Sequence, residues 1–434
     1  MKKQALSAKP VGIVLAALVG AAGIWLYAQR VLIPYQVADA AAHNRPRGNL
    51  SDLYPRWLGA RELLLHGRDP YSAEVTREIQ TGYFGRPLDA SRSGDPRDQA
   101  GFAYPVYVVF FLAPTVELPF PVIGKCFFWL LVILTAASAI VWLRVVQWPL
   151  PIWAQCSLIL LILGSFAGMQ GLKLEQITLF VVALIAASIA LLMADQGVMA
   201  GILLAVCSIK PQLVFLLLAW LAIWTVGDWR KRYRWLISYL LSMAILCTAG
   251  EWYLPGWIAR FWHAVREYQK YTGSASVMTA LIGPWSKLFE LLAVIALATA
   301  CWRERRNTAN SAAFAFMVSM VLAVTILVEP TSAQYNQVLL IPAVILLVKE
   351  RESIWRRSAI QRVLFAMTMV LIVWPWTSSA ILALLSFLLP PQIVERSWTV
   401  PLWTTTQIPV GVAALMLFHY YQETLGASSK ASTS

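Results

Sequence analysis

The sequence contains repeated apolar segments of about 18 residues or more, and no other feature constrains its fold as strongly. As a helix, such a segment crosses the roughly 30 Å hydrocarbon core of a bilayer. Hydrophobic residues make up 59% of the chain and charged residues 13%, against about 25% charged residues in soluble domains. We therefore predict an all-α fold, a polytopic transmembrane helical bundle in contact with membrane lipids. Soluble enzymes, nucleic-acid-binding factors and secreted disulfide scaffolds are excluded, and no nucleic acid is expected as a partner.

The basic residues orient the predicted helices. We predict about twelve spans, which return both chain ends to one side, and four basic clusters then share a face. Because positive charge accumulates on the cytoplasmic side, the net charge of +13 reports topology, with both termini cytoplasmic in a bacterial-type inner membrane. The clusters are Lys2/Lys3/Lys9, Arg230/Lys231/Arg232/Arg234, Arg303/Arg305/Arg306 and Lys349/Arg351/Arg356/Arg357. The predicted spans are 11–29, 103–119, 121–146, 150–168, 176–194, 198–226, 234–251, 278–301, 311–328, 335–348, 362–389 and 404–421.

The prediction is a single integral membrane domain over residues 1–424, followed by a short polar tail at 425–434. Two segments lie on the extracytoplasmic face: a long first loop at 30–102 and a second segment at 252–277. The span at 198–226 is interrupted by Ser208-Ile209-Lys210-Pro211. It is therefore one kinked helix or a broken one, and a broken helix at membrane depth is tolerated only in buried or water-lined sites.

The first loop has a helical pattern of its own. Pro55 suits the first turn of a helix and Gly67 suits its left-handed cap. We expect a short amphipathic helix at the membrane surface, with Asp52 just before its N-terminus on the extracytoplasmic side. Its apolar face is Trp57, Ala60 and Leu64, and its polar face is Arg56, Arg61 and Glu62.

The second outer segment, WIARFWHAVREYQKY, alternates aromatic and cationic residues. Such a pattern is typical of a helix whose rings lie at the level of the lipid headgroups. Arg260, His263 and Arg266 are also candidates to bind a lipid phosphate through charge-assisted hydrogen bonds.

Several motifs occur in a characteristic order along the chain. They are D52-L-Y-P-R-W-L-G-A-R-E-L-L-L-H-G-R-D-P-Y71, F102-A-Y-P-V-Y, L172-K-L-E-Q-I-T-L-F180, S208-I-K-P211 and V328-E-P-T-S-A-Q-Y-N-Q337. Their order resembles glycosyltransferase family 87, polyprenol-phosphate-mannose-dependent mannosyltransferases of the type C membrane glycosyltransferase fold. The chain has Glu175-Gln176-Ile177-Thr178 where such families tend to have Gly-Gln-x-Asn, and Tyr335-Asn336 where they have histidines.

The resemblance implies an enzyme of cell-envelope biogenesis that uses a polyprenyl-phosphate sugar, best known with mannose, and inverts the anomeric centre. The acceptor would be a glycolipid or glycan. Asp52 falls on the family's catalytic aspartate, and Gln176, Tyr335 and Asn336 fall in motifs implied to bind substrate. From the residues alone, Asp52 could instead cap the helix or complement its dipole.

Lys210 is a charge inside a long apolar run, which marks a functional site unless the side chain snorkels to an interface. It is a candidate to bind the donor phosphate. Lys173 and Glu175 could neutralise one another in a loop, and Lys287 and Glu290 could pair along one helix.

The residues around Pro330 allow two interpretations. Glu329 and Gln334 either line a site or lie in a solvated outer loop. No aspartate pair has a metal-ligand spacing, and we expect neither a metal nor a cofactor.

Three function classes remain open from the sequence. The first is a membrane glycosyltransferase with Asp52 as general base. The second is a secondary transporter or lipid-linked-sugar flippase, which the break at 208–211 favours but the lack of a second matching break disfavours. The third is a non-catalytic subunit of an envelope-assembly complex, in which replacing Asp52 would have no effect.

Overall fold

The computed structural model describes residues 8–44, 46, 51–89, 91–272, 275–330 and 333–431. Lys2 and Lys3 of the first basic cluster lie outside these residues, as do Thr331 and Ser332 and the last three residues of the predicted tail. The described residues form helices and turns with no strand, so the all-α prediction is confirmed.

The helices follow one another with short connections. In chain order they are α1 Ala8–Tyr27, α2 Ile33–Ala42, α3 Leu53–His66, α4 Ala73–Phe84, α5 Val108–Leu112, α6 Phe120–Val145, α7 Ile152–Leu163, α8 Phe166–Lys173, α9 Ile177–Met193, α10 Gly197–Cys207, α11 Pro211–Gly227, α12 Trp229–Tyr253, α13 Trp257–Thr272, α14 Val277–Ile282, α15 Ser286–Glu304, α16 Ala312–Val328, α17 Ile341–Lys349, α18 Arg351–Arg357, α19 Ala359–Leu385, α20 Pro391–Arg396 and α21 Ile408–Ala431. A 3-10 helix at Gln334–Leu340 leads into α17.

Five helical segments of the described chain are long and apolar enough to cross a membrane, or six if the bent pair of α7 and α8 is one span. The five are Pro10–Ala42, Phe120–Val145, Trp229–Tyr253, Val277–Glu304 and Ala359–Leu385. Shorter apolar helices complete the bundle, among them α9, α11 and α16. The molecule is a polytopic helical membrane protein, and the count of about twelve crossings stays a prediction.

The first helix continues beyond its predicted end at residue 29. A π-helical turn at Ala28–Leu32 joins α1 to α2, and the helical segment runs on to Ala42. Pro34 lies in the first turn of α2, where the wider turn absorbs its missing N–H group. The helical segment that carries the first predicted span therefore ends at Ala42 rather than at residue 29.

The predicted span at 103–119 does not form. Only α5, five residues long, and a short 3-10 turn occur there. Both ends of the segment lie against α3, since Phe102 contacts Gly59 and the Trp57 indole donates to the carbonyl of Thr115 at 3.1 Å. Prolines at 105, 114 and 119 prevent one continuous helix across this apolar stretch.

The predicted span at 198–226 is two helices, and the chain reverses direction between them. The Gly197 end of α10 packs on Trp235, and Arg232 donates to the carbonyl of Trp224 in the last turn of α11. The N-terminal end of α10 and the C-terminal end of α11 therefore both lie beside the start of α12. The turn at Ser208–Lys210 is the tip of a helical hairpin inside the bundle.

Helix α3 starts and stops as predicted, and it packs against the rest of the protein on both predicted faces. Gly67 ends it with φ +65°, in the left-handed region. Leu53, Trp57 and Leu63 are buried, and so is Glu62, which accepts from Arg68 at 2.7 Å. The predicted polar face is thus packed within the protein, and α3 is a fixed platform for the residue that precedes it.

Helix α16 lies at the centre of the bundle. Every residue from Met317 to Leu327 is buried. By contrast, α12 exposes Leu240, Leu241 and Ile245, as expected of a helix in contact with lipid. Because α16 ends at Val328, the residues that follow it emerge beside the tip of the α10–α11 hairpin.

Candidate functional site

Asp52 is held at the junction of α8 and α9. Its backbone N–H donates to the carbonyl of Leu174 at 2.9 Å. Its side chain makes no cap hydrogen bond to α3, so the capping interpretation is wrong. The carboxylate instead accepts from Nε2 of Gln176. Arg56, one turn along α3, donates to the backbone carbonyl of Asp52.

The turn before α9 aims Gln176 at this carboxylate. Glu175 has φ +49°, an uncommon conformation for a residue with a side chain, and its carboxylate accepts from the Ser51 hydroxyl. Lys173 donates to Oε1 of Gln36 at 3.3 Å. The expected pairing of Lys173 with Glu175 is therefore not formed, because Lys173 contacts α2 and Glu175 contacts Ser51 just before α3.

Lys210 lies at the tip of the hairpin and is only 4% exposed. Its ammonium group donates to Oε1 of Gln176 at 3.0 Å and to Oγ1 of Thr178 at 2.6 Å. The rings of Tyr104 and Tyr335 lie 5.8 Å and 5.1 Å away. Snorkelling is excluded, since a snorkelling lysine would reach water.

The hydrogen bonds continue beyond Lys210. Thr178 donates to Oδ1 of Asn336 at 2.9 Å, and Nδ2 of Asn336 donates to Oε1 of Glu329 at 2.8 Å. Glu329 is 1% exposed, so its solvated-loop interpretation is wrong. We call Asp52, Gln176, Lys210, Thr178, Asn336 and Glu329 the buried polar chain.

Burial has the largest effect on the pKa of the two carboxylates that end the buried polar chain. It raises the pKa of Asp52, although Arg56, Lys210 and the Gln176 hydrogen bond favour the charged form. In the connection after α16, burial raises the pKa of Glu329 to about 8 against the Asn336 hydrogen bond and Lys210. Lys210 thus stands between two acids, each a stronger base than in water.

Tyrosines surround the Asp52 end of the chain. The Arg56 guanidinium lies over the ring of Tyr104, 4.6 Å from its centroid. Tyr83 of α4 and Tyr268 of α13 lie within electrostatic reach of Asp52, and burial raises the pKa of Tyr268 to about 12. Phenol hydroxyls and rings are suited to a sugar, because they offer hydrogen bonds and flat apolar faces together.

The three cations predicted on the second outer segment lie elsewhere. Arg260 is 41% exposed at its side chain and pairs with Asp69 at 2.7 Å. His263 and Arg266 are exposed on α13. Within the described part of the chain, none of them contacts the buried polar chain; from α13 it is Tyr268 that approaches Asp52.

Two local contacts lie outside the buried polar chain. The Tyr71 N–H donates to Oδ1 of Asp69 at 2.9 Å, which forms a turn at Asp69-Pro70. Lys287 and Glu290 pair at 3.0 Å along α15, as predicted from their spacing.

An apolar cavity of about 400 Å³ lies along the 3-10 helix that contains Tyr335 and Asn336. At one end it reaches Trp148 and Val348, and at the other it reaches Gln334 and Gln337, next to Tyr335. Gln334 donates to Oγ1 of Thr405 at 3.2 Å. The cavity therefore runs along α7, α17 and α19 from one end of the bundle to the level of the buried polar chain.

Sequence reasoning did not single out Arg56, Thr178 or Tyr104. Each has a signal that could have marked it: Arg56 follows Asp52 by four residues on one helix, and Thr178 follows Gln176 by two. Tyr104 lies inside the F102-A-Y-P-V-Y motif. No group of three or more His, Cys, Asp or Glu in the described ranges could hold a metal ion, and the expectation of a metal-free site stays a prediction.

Comparison with known proteins agrees with this architecture. The model of glycosyltransferase family 87 matches residues 102–330, more than half of the chain. That range includes Gln176, Thr178, Lys210 and Glu329, whereas Asp52 precedes it. Comparison with curated proteins and with solved structures gives no match. On this family match, the chain belongs to glycosyltransferase family 87 and is a membrane glycosyltransferase.

Proposed function

We propose that the protein transfers a sugar from a polyprenyl-phosphate donor to a glycolipid or glycan acceptor, with Asp52 as general base. The observation that carries this proposal is the position of Asp52. Its carboxylate ends a buried polar chain, among tyrosines, beside an apolar cavity.

The environment of Asp52 suits a base. Burial raises its pKa, so the ionised carboxylate binds a proton more strongly than an exposed one would. Gln176 occupies Oδ2, and within the described residues no hydrogen bond to Oδ1 is formed. That oxygen is available to an acceptor hydroxyl.

The chemistry is a single displacement. The acceptor oxygen forms a bond to the anomeric carbon, and the bond from that carbon to the phosphate oxygen breaks. The phosphate leaves with the bonding electron pair, and Asp52 takes the hydroxyl proton. Attack opposite the leaving group inverts the anomeric centre.

The apolar cavity gives the donor's lipid a place to lie. Its walls are formed mainly by aliphatic and aromatic side chains, with polar groups at the end near the site. A prenyl chain in this cavity would keep its phosphate near Tyr335 and Asn336 and its sugar near Asp52. Among donor sugars, mannose is favoured only by the family resemblance, and arabinose and glucose stay open.

We place the reaction at the extracytoplasmic face of a bacterial-type inner membrane, with both termini cytoplasmic. Support comes from the basic clusters: the connection after α15 and the start of α12 meet, since Arg232 donates to the carbonyls of Arg305 and Asn307. Lys210 lies at the start of α11 and Glu329 at the end of α16, and the basic clusters lie at the other ends of these two helices.

The test uses purified protein in lipid nanodiscs. Wild type, Asp52→Asn and the matched control Asp89→Asn are incubated with short-chain polyprenyl-phosphate sugars and a lipid extract as acceptor source. Asp89 suits the control because it lies in the same outer loop and bonds Ser91 rather than the site. Mass spectrometry follows released polyprenyl phosphate and new glycosylated product.

Wild type and Asp89→Asn are expected to transfer one sugar, and folded Asp52→Asn to lose about 100-fold or more of the rate, as for a lost general base. Equal rates in all three proteins would refute Asp52 as the general base. A wild type that moves lipid-linked sugar across the bilayer without consuming it would favour the flippase alternative.

A further inference from the structure

Arg56 is a cation without a carboxylate partner. Its guanidinium lies over Tyr104 and donates to the backbone carbonyl of Asp52. The carboxylate of Asp52 is within electrostatic reach, yet no ion pair joins Arg56 to any carboxylate of the described chain. Its Nε is buried and has no hydrogen-bond partner there.

This arrangement is costly in a protein interior. A buried charge is normally paired and hydrogen-bonded, and a buried donor without a partner loses its hydration with nothing in return. Lys210 nearby is a buried cation that has hydrogen-bond partners, since its ammonium group donates to Gln176 and Thr178. Arg56 has donors to spare and faces the same group of tyrosines.

We propose that Arg56 binds the phosphate of the donor and holds it as it departs. This rests on the proposed function and adds a residue to it. A guanidinium presents parallel N–H groups that match two oxygens of a phosphate. The phosphate would supply both the missing counter-charge and the missing partner for Nε.

The charge balance of the reaction supports the assignment. Before transfer, Asp52 is ionised and the donor phosphodiester carries one negative charge. Transfer neutralises Asp52 and leaves the departing phosphate with a second negative charge. Arg56 lies one helical turn from Asp52, so a guanidinium that binds the phosphate is next to the negative charge both before and after transfer.

The other candidate cations are less suited to bind the donor phosphate. Arg260 already pairs with Asp69, and His263 and Arg266 are exposed to solvent. An exposed cation contributes less to anion binding because water and salt screen it.

The test is binding rather than turnover. Wild-type protein in zwitterionic nanodiscs is titrated with polyprenyl phosphate and with the uncharged polyprenol of equal length, and inorganic phosphate is added as competitor. The variants are Arg56→Met, Arg56→Lys, the matched control Arg61→Met from the same helix, and Arg260→Met. Arg61 suits the control because it donates to the carbonyl of Val116, away from the site.

Wild type, Arg61→Met and Arg260→Met are expected to prefer the phosphate over the alcohol. Arg56→Met should reduce this preference roughly 10-fold or more, as the loss of a charged hydrogen bond predicts, and Arg56→Lys should keep part of it. If inorganic phosphate competes with polyprenyl phosphate, the site binds free phosphate as well as the lipid-linked group.

The experiment distinguishes failure of the proposed polyprenyl-phosphate donor from failure of the proposed role of Arg56. A wild type without preference for the phosphate refutes the polyprenyl-phosphate donor itself. If wild type prefers the phosphate and Arg56→Met keeps that preference, only the role of Arg56 is refuted. Should Arg56→Met fail to fold, an unchanged preference in Arg56→Lys together with a lost one in Arg260→Met would also overturn it.

Discussion

Lys210 acts on Asp52 through a single amide. Because its ammonium donates to Oε1 of Gln176, the amide must turn its Nε2 toward the carboxylate. A glutamine in the opposite orientation would present an oxygen to Asp52 and repel it. We therefore propose Lys210 as a positioning residue, whereas the sequence offered a phosphate ligand and a snorkelling lysine as equal alternatives.

Replacing Lys210 by Met should therefore lower kcat by about 10- to 100-fold and change the donor KM little, as expected when a supporting partner of a reacting group is lost. Steady-state kinetics on the folded variant measures this. Lys287→Met is the control, since Lys287 is 76% exposed on α15. A raised KM with unchanged kcat would show that Lys210 binds substrate instead.

The raised pKa of Asp52 predicts the acid side of the pH–rate profile. Below that pKa the carboxylate is protonated and takes no proton from the acceptor, so kcat/KM should fall with decreasing pH. The midpoint should lie above the ordinary aspartate value of about 3.9. Asp52→Asn should lose this limb while Glu329→Gln keeps it; a profile flat to about pH 4 would contradict the assignment.

Glu329 should make stability depend on pH. Its pKa is raised to about 8, so its contribution is complete at low pH and is lost as pH rises toward that value. Glu329→Gln should remove this dependence, which thermal unfolding in detergent at several pH values would measure. Glu329→Leu leaves Asn336 without its acceptor and should cost about 1–3 kcal/mol. Identical pH dependence in wild type and Glu329→Gln would refute the explanation.

At the scale of elements, close packing of α10 on α12 holds the hairpin tip in place. A Cβ at Gly201 would lie 2.2 Å from the carbonyl oxygen of Trp235, a backbone atom that no rotamer change can move. The helices therefore approach each other as small residues allow in membranes.

Gly201→Ala should displace α10 and with it Lys210. We expect a loss of about 1–3 kcal/mol, the range for overpacking, despite the better helix propensity of alanine, together with reduced transfer. Thermal unfolding and activity are compared with Gly12→Ala, whose added Cβ meets nothing within 4 Å. Equal losses in both variants would mean that the contact is not the cause.

Hydropathy predicted the helical membrane fold but not each crossing. The segment 103–119 is apolar enough to span, yet its prolines and its contacts with α3 fold it back. The segment 198–226 is long enough for one span, yet Pro211 starts a second helix in the opposite direction. Apolar composition does not distinguish a crossing from a reversal, because both bury the same side chains.

The site is a property of the whole molecule. The buried polar chain joins the first loop, the start of α9, the hairpin tip and the end of α16. The sequence marks Asp52 and Lys210 individually, since each is a charge beside apolar segments. It does not show that Gln176 joins them, because the hydrogen bond from Gln176 to Asp52 spans 124 residues of sequence and depends on how the helices pack.

The apolar cavity extends this dependence to the donor's length. Val344 lines its wall, so Val344→Trp should fill part of the roughly 400 Å³ and exclude a long prenyl chain while leaving the polar chain intact. We expect transfer from a long-chain donor to fall at least about 10-fold, which is the cost of about two CH₂ groups left unburied, and transfer from a short-chain donor to change little. The matched control is Ile152→Trp, because Ile152 is 78% exposed and does not line the cavity. The measurement is the transfer rate of each variant with donors of two chain lengths. An equal loss for both donors would place the lipid elsewhere, because the volume of this cavity does not affect a prenyl chain that never enters it.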